Sequence, residues 1–143
     1  MPTTCALFNR MVPFDLPATP SVAFLLTKQP ANWLNGVASS GSTEVMIWTD
    51  NYFQTPSGSS QETVTFDGQS YQVYKSGSYV AFVETTNVTS GSVNLLSFFD
   101  HVIAKGWIPA TSTLGAIDYG VELVSTDSID ATFQVNGFSL TTN

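Results

Sequence analysis

Short β-branched and aromatic runs, separated by Gly, Pro and Asn-Gly or Asp-Gly signals, predict an all-β chain. The regular spacing of these runs reads as a β-sandwich or jelly roll. A single stretch, around 95–103, shows the apolar stripe of an amphipathic α-helix. At 143 residues the chain fits one domain, 1–143, with room for one core and no internal repeat.

The elements follow in order. Met1 to Pro20 holds Pro2, Pro13, Pro17 and Pro20, so residues 1–20 read as an irregular N-terminal segment or one short edge strand. Ser21 to Thr27 is a short apolar strand, and Gln29 to Thr43 a loop marked by Pro30, Gly36 and an SSGS run. Glu44 to Trp48 is a strand, and Asn51 to Ser60 a second loop. Glu62–Phe66 and Gln69–Tyr74 form a hairpin across Asp67-Gly68, a dipeptide suited to a type I′ turn. Ser78 to Glu84 is another strand. Leu95, Phe98, Phe99, Val102 and Ile103 recur at helical spacing, with Ser92 or Asn94 as cap and Gly106 and Pro109 as terminators. Asp118–Val124 and Ala131–Leu140 supply the last two strands, the second interrupted at Asn136-Gly137.

Composition excludes several function classes. The net charge is −7 and the only basic residues are Arg10, Lys28, Lys75 and Lys105, so a phosphate backbone or anionic membrane surface is not a partner. No segment has the apolar length of a membrane span. With one Cys (Cys5) and one His (His101), neither an intrachain disulfide nor a thiolate or multi-histidine metal site can form. Met1 to Leu16 lacks the basic start and apolar stretch of a signal peptide.

Strand parity isolates two carboxylates. Glu44, Met46 and Trp48 share one face of their strand, with Val45 and Ile47 on the other. Tyr119, Val121 and Leu123 make an apolar face whose reverse shows Asp118, Gly120 and Glu122. A carboxylate among Met and Trp is costly to desolvate unless its face lines a wet cleft or supplies a partner. Aromatic planes with two carboxyl groups are what glycoside hydrolysis requires, the pair lying about 5–5.5 Å apart for retention or about 6.5–9.5 Å for inversion. On parity alone the plainer reading is that both glutamates are solvated outer-face residues.

The strand Glu44-Val45-Met46-Ile47-Trp48 resembles the E-[IVL]-M-I-W strand of glycoside hydrolase family 12, the small endo-β-1,4-glucanases and xyloglucanases. Residues 66–83 resemble that family's hairpin and following strand, and 95–109 its helix and exit. Gly120-Val121-Glu122 falls where the family has G-x-E, and Thr132 to Leu140 resembles its last strand. The resemblance implies a concanavalin-like jelly roll, secretion, and retaining hydrolysis of β-glucan polysaccharide or oligosaccharide, with no metal or organic cofactor. It implies Glu44 as nucleophile, Glu122 as acid/base, and Met46 and Trp48 along the substrate cleft. Two positions depart from the pattern. Leu25 stands where the family's V-A-Y-D strand has its aspartate, which removes a hydrogen-bonding group near the nucleophile. Residues 1–20 do not resemble the family's tryptophan-rich N-terminal strands, so the chain reads as a truncated domain whose exposed sheet edges a partner chain or oligomer would cover. The alternative function is a non-catalytic glucan-binding or decayed form.

The remaining candidates read as structural. His101 is a surface residue, Cys5 an incidental thiol and Trp107 a core anchor. Asp50, Asp67 and Asp118 are turn or outer-face residues, and Trp33, in a loop, is either packing or substrate contact.

Overall fold

A computed structural model of the chain describes residues 3–8, 25–88, 90–125, 130 and 137–142. In chain order the strands are β1 (Thr3–Phe8), β2 (Leu25–Leu34), β3 (Thr43–Trp48), β4 (Asp50–Tyr52), β5 (Ser59–Phe66), β6 (Gln69–Ser76), β7 (Tyr79–Glu84), β8 (Gly91–Asn94), β9 (Leu114–Ser125) and β10 (Gly137–Thr142). Helix α1 (Leu95–Ala104) lies between β8 and β9. A three-stranded sheet has the order β10-β1-β8, and a seven-stranded sheet the order β4-β2-β3-β7-β6-β5 with β9 on the other edge of β2. All pairs are antiparallel except β3 with β7.

Alternation drives the packing. Val45, Ile47, Val73, Val80 and Phe82 point to one side of the large sheet and are fully buried. Against them lies the stripe of α1, with Leu95, Phe98, Phe99 and Val102 buried. Phe98 is the hub of this core. Its ring meets Phe66 at 4.8 Å and Tyr71 and Phe82 at 5.0 Å, each edge-on, the geometry that aromatic quadrupoles favour. Asn94 caps the helix, its side-chain oxygen accepting from the Leu96 amide at 3.2 Å, while Ser92 is a strand residue. Gly106 ends the helix with φ of 69°, as the sequence suggests. The Asp67-Gly68 turn has φ of 50° and 84°, the two positive values a type I′ turn demands.

Several elements differ from the sequence reading. The loop expected over 29–43 is shorter, because β2 continues to Leu34 and carries Pro30 inside it. The reason is local. β3 pairs with Ala31–Leu34 and β4 with Leu26–Lys28, leaving Pro30 without a partner on that edge, so its missing N–H breaks no bond there. Within the loop expected over 51–60, β4 and β5 leave only 53–58 irregular. β8 was not foreseen, and β9 starts at Leu114 rather than Asp118. Of the two readings for residues 1–20, irregular or one short edge strand, Thr3–Phe8 is a strand, corrected from an edge position to a central one paired on both sides. Residues 9–24 and 131–136 of the expected elements lie outside the described residues.

Candidate active site

The face of the large sheet opposite the core holds an open cleft of about 640 Å³. β3 supplies Glu44, Met46 and Trp48; β9 supplies Asp118, Gly120 and Glu122; β7 supplies Tyr79. The segment 54–57 forms a further wall. The strand pairings explain why these residues share one face of the sheet. β2 has β3 on one edge and β9 on the other, so Glu44 and Glu122 flank a shared strand. Glu44 pairs with Trp33 and Glu122 with Thr27, two β2 positions of the same parity, which puts both carboxylates on one face. They are staggered along β2 rather than side by side. Tyr79 pairs with Glu44 from the β7 side and completes the row.

The electrostatics join the pair. Burial, and then repulsion from Glu122, push the Glu44 carboxyl above its ordinary value. Glu44 is half-buried, whereas Glu122 is exposed. The Tyr79 phenol is pushed well above its ordinary value by burial, then by Glu122 and Glu44. It therefore stays a neutral hydroxyl donor beside two acids. Trp48 is 2% exposed, and its indole N–H lacks a protein partner although the residue lines the cleft. Met46, Trp48 and Ala81 form a small apolar cluster under the cleft floor, with Tyr79 packed against it.

The structure thus brings together all four residues singled out by parity and motif, Glu44, Glu122, Met46 and Trp48. It adds Tyr79 and the wall at 54–57, which the sequence reading missed. Parity in Ser78–Glu84 carried the signal for Tyr79, since Tyr79, Ala81 and Val83 alternate with the core residues Val80 and Phe82. Trp33 is a strand residue directly across from Glu44, not a loop residue. Asp50 is corrected from an outer-face position, being 1% exposed. The register between β2 and the β3–β4 edge slips by one residue at Thr49, which turns Asp50 to the face opposite Met46. His101 is also corrected, because its ring is partly buried. It contacts the Phe66 and Phe82 rings at 5.9 and 5.8 Å and bonds Glu62 at 3.1 Å. Trp107 packs on the core as expected.

A second, smaller cavity of about 110 Å³ lies on the core side of the sheet, lined in part by Glu84, Tyr71, Asp67, Ser92 and Tyr119. Glu84 is 6% exposed, its Oε1 has no hydrogen-bond partner, and burial raises its pKa to about 7.

A jelly-roll sandwich with two carboxylates, an indole and a phenol around one open cleft defines a class, the β-sandwich glycoside hydrolases. The chain belongs to glycosyl hydrolase family 12, whose sequence profile matches residues 19–143. Endoglucanase S of Pectobacterium parmentieri is 29% identical over 117 residues, 74% of this chain and 43% of that protein. The inactive glycoside hydrolase XLP1 of Phytophthora nicotianae is 29% identical over 93 residues, 59% of this chain and 39% of that protein. Among solved structures, the endo-1,4-β-glucanase CelB2 matches with a TM-score of 0.78 at 21% identity, a likeness of fold covering 98% of this chain and 61% of that one. The chain spans less than half the length of these two curated relatives.

Proposed function

We propose that the protein is a secreted endo-β-1,4-glucanase that hydrolyses β-glucan with retention by double displacement. The observation that carries this reading is the single open cleft that Glu44 and Glu122 both line, from strands flanking β2. Glu44 attacks the anomeric carbon while Glu122 protonates the departing glycosidic oxygen, and the resulting glycosyl–enzyme is released when Glu122 takes a proton from the attacking water. Met46 and Trp48, almost fully buried, support the cleft floor beneath the sugar rings. No metal or organic cofactor takes part.

The raised Glu44 pKa has a kinetic consequence. A nucleophilic carboxylate must be ionised, so kcat/KM falls on the acid side as Glu44 takes up a proton, at a pH above the usual glutamate range. Reducing-sugar release from barley β-glucan by the parent, Glu44→Gln and Glu122→Gln tests the assignment. Each variant is expected to lose at least about 10²-fold in rate. Equal activity in all three proteins would sink it. Proton NMR of the first-formed product distinguishes retention from inversion.

A second reading is a glucan-binding protein without hydrolysis. It is favoured by the stagger of the two glutamates along β2, by Leu25 at the family's aspartate position, and by the similarity to an inactive relative. Glucan binding by the parent without product release at any pH would select it.

A further inference from the structure

We infer that Phe53 is an outer sugar-binding platform, stacking on a pyranose ring of the glucan where the chain leaves the cleft. Phe53 is 81% exposed, by a wide margin the most exposed large apolar side chain among the described residues. Single exposed apolar residues are common and need no explanation. This one also has φ of 56°, the left-handed region that a bulky side chain adopts at a cost. Exposure gives its ring no packing energy to offset that cost.

The surroundings hold the strained residue in place. Asn51 closes a small loop around it, donating from Nδ2 to the Gln54 carbonyl at 2.8 Å and accepting the Gln54 amide at 3.2 Å. Asn87 locks Asn51 in turn. Its Oδ1 accepts the Asn51 amide at 3.1 Å and its Nδ2 donates to the Asn51 carbonyl at 3.3 Å. Four hydrogen bonds therefore hold a ring out into solvent in an unfavourable backbone conformation. Strain maintained in this way is characteristic of ligand contacts.

Position supplies the ligand class. Phe53 directly precedes the segment 54–57 that walls the cleft without itself lining it, so a polymer that overruns that wall would pass beside it. A phenyl ring offers no hydrogen bond and complements a flat apolar surface, such as the C–H face of a β-linked glucose unit. The ligand class rests on the glucan reading above; exposure, strain and bracing do not.

The test measures binding rather than turnover, in the Glu44→Gln background so that no substrate is consumed. Cellotriose, cellohexaose and barley β-glucan are titrated calorimetrically against Phe53, Phe53→Ala, Phe53→Trp and Phe53→Gly. Removing the ring is expected to weaken cellohexaose and polymer binding by roughly three- to tenfold. Cellotriose binding stays unchanged, and Phe53→Trp binds at least as well as the parent. Phe53→Gly is expected to raise the melting temperature while weakening binding, because glycine accepts positive φ without cost. A purely structural role for the ring would move both in the same direction. Unchanged cellohexaose binding in Phe53→Ala, or an equal loss for all three ligands, overturns the inference while leaving the glucan reading intact. A parent that binds none of the three ligands overturns the glucan reading and this inference together.

Discussion

The two faces of the seven-stranded sheet hold carboxylic acids in contrasting settings, and β7 touches both. Its Tyr79 faces the cleft beside Glu44, whereas its Glu84 faces the core with Val80 and Phe82. Burial raises the pKa on both sides. On the cleft side a second acid adds to the effect, and a large open space lies in front of the pair. On the core side desolvation acts alone, and Glu84 faces a cavity about one-sixth the volume of the cleft. A perturbed pKa therefore does not by itself mark chemistry. Geometry separates a reactive acid from a merely buried one.

The largest way to break this contrast is to open the core. Phe98→Ala should cost about 3–5 kcal/mol, because the ring is 1% exposed at the centre of the aromatic cluster. The urea midpoint reads that loss. If the two faces are energetically separate, the remaining folded protein keeps its glucan affinity.

Glu84→Gln sharpens the contrast through pH. The folded-state pKa of about 7 lies above the reference value of 4.5, so the native state holds the proton more tightly than the unfolded chain. Below the reference value both states are protonated. As pH rises from there to about 7, parent stability falls, and above that it levels off. The amide variant lacks this decline and should gain up to about 3 kcal/mol over the parent at pH 8, with little difference near pH 4. Chemical denaturation at the two pH values measures it.

Asn94→Ala is expected to cost about 1 kcal/mol through loss of the α1 cap, without touching the cleft. The smallest change is on the cleft side. Glu122→Gln removes the lesser of the two causes that raise Glu44, so the Glu44 pKa should move down while remaining above its ordinary value. Carboxyl carbon NMR titration follows that group directly. A Glu44 pKa that does not move would show that the two acids are independent.

Much of this arrangement was legible in the sequence because it depends on period. The parity of Glu44-Val45-Met46-Ile47-Trp48, the stripe from Leu95 to Ile103 and the Asp67-Gly68 turn are local patterns, and each is realised as read. What depends on registry was not legible. Asp50 turns inward through a one-residue slip at Thr49, and Pro30 enters a strand only because its partner edge is interrupted there. His101 is drawn into the aromatic cluster by Glu62, a residue 39 positions away whose carboxylate also meets Lys105. Phe53 escaped notice for a related reason. Its positive φ is fixed by Asn51 and Asn87, and nothing in its own sequence neighbourhood demands it.

The parallel pairing of β3 with β7 bears on the order in which the molecule assembles. β5 and β6 join across a two-residue turn and can zip on a timescale of roughly 1–10 μs. β3 and β7 cannot pair until the chain between Trp48 and Tyr79, with that hairpin inside it, has been brought back on itself. The row that Glu44 and Tyr79 make in the cleft therefore carries a larger loop-closure cost than the hairpin beside it.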